Sequence, residues 1–413
     1  MKQYLLIIIV WLACINTSAQ QTIQLKLSSK ISQSNAPVVV QLHKYGSVKS
    51  AVVEIDGVET PCQLDDLDKD GIMDELCFMT DIAEKTIQTA SITLYHHGKP
   101  RVYPAKTYAE IVLRNPKVKE KNKHDIYLSS ITIDKETGNP YQVLHHHGIA
   151  FENELIAMRI YMDKRQTIDL YGKFHKRLEL RETQFYTSEA QKALGYGDDV
   201  LWVGNTFGLG TLRGWDGTTP TMLDDVENRT QRILSKGPIR TVVEVEDAGW
   251  TIAPGTEPVN MTLRYTLYAG RRDFDVDVTF NRDMSATEFS SGIINVKNSE
   301  ELGDNDGLRG CWGADWPTSD TINGKRETVG LGIYVPREYR VKEMPANKDN
   351  YCTVIKPVGN HIRYHLTYTS ANESFGYHSA REWRNYLKAW KRKIDYPILV
   401  CEEQSAKPLT AVQ

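Results

Sequence analysis

Residues 168–175 alternate apolar and polar side chains with a period of two. Ile168, Leu170, Gly172 and Phe174 fall on one side, and Asp169, Tyr171, Lys173 and His175 on the other. That period belongs to a β-strand with one oily face and one polar face, and no helix sorts these residues so. Residues 153–161 repeat the pattern, with Asn153, Arg159 and Tyr161 opposed to Ile156, Met158 and Ile160. Two neighbouring strands of this kind demand a sheet that buries one face and presents a phenol, an ammonium, a guanidinium, an imidazole and carboxylates on the other.

Strand patterns continue along the chain. Residues 38–42, 50–55, 87–95 and 108–113 are rich in β-branched and aromatic side chains, with turn residues between them. They predict a small β-sandwich over residues 20–115. The charged stretch 117–123 follows as a solvated linker or loop. Residues 125–413 carry a longer succession of strands, clearest at 155–161, 167–174, 239–245, 260–268, 274–280, 330–335 and 362–368. One helix is predicted, over 379–393. Ser379 and Glu382 stand in capping-box spacing, and Trp383, Leu387 and Trp390 recur on one helical face. The expected fold is mainly β, a large sandwich preceded by a small one, with one C-terminal helix.

Charge is nearly balanced, at −3 over 413 residues, and no basic stripe points to nucleic acid. The expected partner is an oligo- or polysaccharide, and no segment after residue 19 is apolar enough to span a bilayer. Residues 1–19 begin with Lys2, pass through an apolar run and end in Thr17, Ser18 and Ala19. This is the layout of a secretory signal peptide, so an exported, periplasmic protein is expected, with lipid attachment at Cys14 as the alternative. The remaining cysteines, Cys62, Cys77, Cys311, Cys352 and Cys401, form no CxxC pair. Cys62 and Cys77 flank one hairpin and could bridge it, although separate buried thiols are the expected state.

Several residue groups suggest chemistry. Asp66, Asp68, Asp70 and Asp74, with Gly71, follow the first half of an oxygen-ligand calcium loop, but Cys77 stands where the bidentate Glu belongs. A structural Ca2+ or an Asp/Gly hairpin turn both account for the spacing, and no other cofactor is called for. His145, His147 and Glu152 make half of a metal pattern whose second half is missing. Trp202, Trp215, Trp312 and Trp316 sit in loops beside Gly, Asp or Asn, where indoles either pack inward or stack on sugar rings. Arg240 and Glu244 lie on the polar face of a further strand.

Taken together, the stretch from Gln63 to Leu76, Phe151–Glu154, Ile168–Lys173 and Lys236–Arg240 resemble a secreted Bacteroidetes family, "domain of unknown function 4861", over nearly the whole chain. The strand at 237–240, followed by Tyr265 and Asp273–Asp275, is also similar to the galactose-mutarotase-like supersandwich. The resemblance implies a supersandwich fold and the company of enzymes that degrade pectin and other uronate-containing glycans. It supplies no catalytic motif, so the candidate site rests on the strand faces. For β-elimination, Lys173 or Arg159 would hold the uronate carboxylate. His175 and Tyr171 would be base and acid, with His146 or His147 as substitutes and Glu152 nearby. Arg159, Tyr161, Asp169, Trp202, Trp215, Arg240 and Glu244 would bind the sugar. Hydrolysis by two of Glu152, Glu154, Asp198 and Glu244, epimerase or mutarotase chemistry, and non-catalytic glycan binding are the alternatives.

Overall fold

The computed structural model describes residues 20–119, 124–317 and 325–403. Residues 1–19, where a signal peptide or lipid attachment at Cys14 is expected, and residues 120–123 of the charged stretch lie outside the described residues. No helix among the described residues is long and apolar enough to cross a membrane.

Two antiparallel sheets pack face to face near the start of the chain. One contains Gln20–Ser28, Ser50–Ile55 and Ile87–Tyr95, and the other Gln33–Gln41, Cys62–Asp65 and Glu75–Ile82. Leu25, Leu27, Val38, Val53, Phe78 and Ile92 fill the space between them. Strand Leu399–Glu402 returns to pair antiparallel with the outer edge of Gln20–Ser28.

The larger body is built on a nine-stranded sheet with Arg240–Trp250, Val259–Tyr268, Asp273–Phe280 and His361–Ser370 near its middle. One face carries Val243, Leu263, Tyr265, Val276, Tyr364 and Leu366. It packs against a six-stranded sheet and a second five-stranded sheet that share the same core. The six-stranded sheet contains Thr107–Leu113, Gly148–Asn153, Ala157–Tyr161 and Ile168–Gly172. On the opposite face of the nine-stranded sheet, Arg240 reaches the small sandwich through Asp65 (2.7 Å) and Glu75 (2.5 Å). Helix Ala380–Asp395 docks on that same sheet through Trp383, Leu387 and Trp390, and Ser379 caps it by accepting the Glu382 N–H. The mainly β architecture and its C-terminal helix agree with the pattern of the sequence; two further helical turns, Leu180–Thr183 and Glu189–Ala193, are short.

Two local expectations change. Strand Thr107–Leu113 pairs with Gly148–Asn153 rather than with the small sandwich, because Ala109 and Ile111 are needed in the large core. The alternation also does not run unbroken through 153–161 or 168–175. A turn separates Asn153 from Ala157, so Asn153 faces away from Arg159 and donates to the carbonyls of Tyr268 and Arg271. The second strand stops at Gly172, which leaves His175 exposed in the following turn. The two hairpin cysteines are separate and buried, as expected: Cys62 lies opposite Phe78 and joins the sandwich core, whereas Cys77 points from the other face toward Ile239 and Tyr268. The two thiols are free, and burial pushes both up to about 12.

Candidate functional site

The outer face of the six-stranded sheet gathers the polar residues that alternation sorts. Register places Arg159 opposite Asp169, Gly148 opposite Tyr161, and Tyr171 opposite Asp199, so all these side chains emerge on one side. Gly197 makes the last pairing feasible: a Cβ there would lie 1.9 Å from the Gly172 carbonyl oxygen. The close approach carries Asp198–Asp199 in beside Ile168–Gly172 and brings Asp199 to the cluster.

Arg159 is the centre. Its Nε and Nη2 donate to Asp169 Oδ2 at 3.0 and 2.6 Å, Nη2 also reaches Asp199 Oδ2 at 3.1 Å, and Nη1 donates to the Tyr186 hydroxyl at 3.1 Å. Tyr161 donates to Asp169 Oδ2 at 2.7 Å. The guanidinium lies 4.1 Å from the Phe185 ring centroid. Arg159, Tyr161 and Asp169 are buried, while Tyr186 and Asp199 form a partly open rim.

Two carboxylates thus share one guanidinium. Burial and the neighbouring Asp169 charge push the Asp199 carboxyl well above its usual range, against the pull of Arg159. His147 stands on the same rim, stacked on Tyr141 at 3.7 Å and edge-on to Tyr161 and Tyr186. Its Nδ1 lies 2.8 Å from the Tyr141 carbonyl oxygen. A carbonyl only accepts, so Nδ1 carries the hydrogen and Nε2 keeps its lone pair. Burial and the Arg159 charge lower His147 to about 4, so the ring is neutral at ordinary pH. His145, 5.4 Å from the Tyr186 ring, is lowered to about 3 by burial and by its histidine neighbours.

The backbone near the cluster holds unusual conformations. His147, Gln184 and Phe185 adopt left-handed φ values of 71°, 45° and 67°. Non-glycine residues enter this region at a cost, and such strain collects at functional sites.

The remaining expected site residues are placed elsewhere. Tyr171, Lys173 and Glu152 share the outer face but lie sealed beneath residues 174–199. Lys173 Nζ donates to Glu152 at 2.5 Å and to the carbonyls of Asn153 and Arg177, each at 2.6 Å. Glu152 accepts the N–H groups of Glu179 (2.9 Å) and Leu180 (2.8 Å). The Tyr171 hydroxyl is 2.8 Å from both Glu179 Oε2 and the Gly197 carbonyl. These bonds clamp the covering segment to the sheet and leave the three groups no solvent-facing atom to offer a substrate. His175 is exposed and apart. Trp202 is 56% exposed close to the cluster in sequence, while Trp215 is buried beside Phe207 and Val354. Arg240 and Glu244 belong to the nine-stranded sheet, where Glu244 pairs with Arg232 (2.6 Å) and Arg264 (3.0 Å). His145, His147 and Glu152 do not meet, since Glu152 is committed to Lys173.

Asp199 and Tyr186 are the members that strand alternation does not find. Both arrive from the irregular covering segment, and only the Gly195–Gly197 surroundings of Asp199 hint at a close backbone approach.

Among the described residues, the one set of acids with metal-ligand proximity is Asp66, Asp68 and Asp74, with one oxygen of each within 4.8 Å of the others. Asp70 is turned away and accepts the Ile72 N–H at 2.7 Å.

Comparison with curated proteins finds no match. The chain is similar to two solved structures: a protein of glycosyl hydrolase family 38 from Enterococcus faecalis (9% identity, TM-score 0.45) and an alpha-mannosidase from Enterococcus faecalis V583 (9% identity, TM-score 0.46). Each similarity covers 94% of this chain but only 48% and 46% of the other, so the chain spans about half the length of these structures. The family described as "Domain of unknown function (DUF4861)" matches residues 26–400, and the chain belongs to that family.

Proposed function

We propose that the Arg159 cluster is the active site of a carbohydrate-active enzyme that cleaves uronate-containing oligosaccharides by β-elimination. One observation carries this reading: a neutral imidazole with a free Nε2 and a carboxyl pushed toward its protonated form stand on the rim of one buried guanidinium. Elimination needs a base, an acid and a cation for the uronate carboxylate.

In this reading the carboxylate meets Arg159 Nη1, whose one hydrogen-bond partner among the described residues is Tyr186, and the Tyr186 hydroxyl. His147 Nε2 takes the proton from C5. The C5–H electron pair forms the C4–C5 double bond as the C4–O bond breaks, and Asp199 gives its proton to the leaving oxygen. A cavity of about 310 Å³ begins at Tyr141, beside His147, and passes Asp163, Lys164 and Arg229, room for a further sugar ring.

Hydrolysis by paired carboxylates fits less well. Asp169 and Asp199 both lie within 3.1 Å of Arg159 Nη2, too close together for the roughly 6.5–9.5 Å of an inverting pair. Asp169 is also buried, which denies it the role of nucleophile in a retaining pair.

The test is incubation with oligogalacturonides while the absorbance of an unsaturated product is followed. Turnover that is lost in His147→Gln and Asp199→Asn is expected. New reducing ends without that absorbance would overturn elimination in favour of hydrolysis. The apolar segment 1–19 is the reason to look for this activity outside the cytoplasm. We also propose that Asp66, Asp68 and Asp74 hold a structural Ca2+, supported by three carboxylates brought together with no Lys or Arg paired to them among the described residues.

A further inference from the structure

A second cavity, remote from the Arg159 cluster, lies where helix Ala380–Asp395, the nine-stranded sheet and the small sandwich meet. It measures about 270 Å³ and is walled by Phe375, Tyr386, Lys176, Arg271, Arg272 and Lys393. Arg271 and Lys393 also line an adjoining cavity of about 510 Å³ that continues toward His365.

The charges in this wall do not balance. Arg271 is answered by Asp273, at 3.1 Å from its Nε, and Arg272 by Glu373 at 2.5 Å. Lys176 and Lys393 have no ion-pair partner among the described residues. Lys176 rests 5.5 Å from the Phe375 ring centroid, and Arg272 lies 5.4 Å from the same ring. Lys393 is half-buried beside Arg271, and burial followed by that like charge lowers its affinity for a proton. Four cations, Lys176, Arg271, Arg272 and Lys393, line the hollow against the single lining carboxylate Asp273, an excess of positive charge that favours entry of an anion. The wall also includes Trp390, buried with its indole N–H unpartnered among the described residues.

Cations set among aromatic rings match a ring that carries an acid group. We propose that this cavity is a second saccharide-binding site, which takes a carboxylate-bearing sugar with its acid group between Lys393 and Lys176 and its ring against Phe375 and Tyr386. The site goes beyond the elimination reading and shares no residue with the Arg159 cluster. It would hold one part of a long glycan while another part is processed.

Isothermal titration of the full chain tests this, with oligogalacturonides, neutral galacto-oligosaccharides of equal length and inorganic phosphate as probes. The expected result is uronate binding that survives His147→Gln, weakens at least about tenfold in Lys393→Met and in Lys176→Met, and is kept in Lys393→Arg. Melting curves of each variant report whether it is folded, and the Lys393→Arg comparison preserves the test if Lys393→Met is not. Equal binding of the neutral saccharide, phosphate binding as tight as the uronate, or unchanged affinity in folded Lys393→Met and Lys176→Met would each overturn the proposal. Charge-dependent binding in a chain with no eliminating activity would support this site while the active-site reading alone fell.

Discussion

Glu110→Gln should reverse part of the protein's dependence on pH. Glu110 lies on the outer face of the six-stranded sheet, fully buried, with its Oε1 3.2 Å from His146 Nε2. The contact looks like an ion pair, but burial lifts Glu110 to about 8 and lowers His146 to about 3, so both partners are neutral near pH 7. The alignment is also poor for a hydrogen bond, and both ring nitrogens of His146 lack a partner among the described residues. A carboxyl whose folded pKa is raised contributes stability that is fully present below its unfolded value of 4.5 and is lost as pH rises through about 8. The loss runs at about 1.4 kcal/mol per pH unit, or roughly 5 kcal/mol across the whole window. Gln copies the protonated acid in shape and cannot ionise, so it removes this slope. Denaturant midpoints of parent and variant across the window measure it, with the difference isolating Glu110 from every other titrating group. The variant should gain on the parent steadily as pH rises. A parent–variant difference that stays constant from pH 4.5 to 8, the outcome if Glu110 is ionised in the folded protein throughout, would refute the argument.

Other outcomes follow from the same geometry. His147→Gln should lower elimination at least about a hundredfold with little change in melting temperature; activity near that of the parent would remove His147 as base. Arg159→Met should cost about 3–5 kcal/mol, because it strands Asp169 in the interior, and denaturant unfolding reads this directly. Lys173→Met should be similarly costly by stranding Glu152, yet the folded fraction should keep its turnover number; a drop in that number would return Lys173 to the active site. Chelator should lower the melting temperature and added Ca2+ restore it, an effect absent in Asp66→Asn; identical curves with and without chelator count against metal at the acidic loop.

Much of the site's geometry was legible in the chain's period of two. Arg159, Tyr161, Asp169 and Tyr171 do share one face, and the antiparallel register sets Arg159 against Asp169. Alternation reports only which face a side chain leaves by. It does not report what lies over that face. Tyr171 and Lys173 are separated from the open rim by the segment 174–199, whose two helical turns are too short to show a helical period. Asp199 and Tyr186 come from that same segment, so no pattern announced them. His147 owes its position to a left-handed backbone, which its two histidine neighbours in sequence do not reveal. The helix at the far end was more visible, since Trp383, Leu387 and Trp390 repeat over enough turns to mark a face.

The pairing of Leu399–Glu402 with Gln20–Ser28 has a consequence for how the chain matures. During synthesis the first sandwich emerges long before its last strand, so the edge of Gln20–Ser28 stays open until almost the whole described chain has been made. Closing that contact spans more than the entire larger body, which must collapse first to bring the two strands near. The four-residue strand acts as a latch on the first sandwich. A chain cut before Leu399 should fold its large body and still associate through the uncovered edge, and a nascent chain should become resistant to proteolysis in two steps, the second once Leu399–Glu402 has emerged.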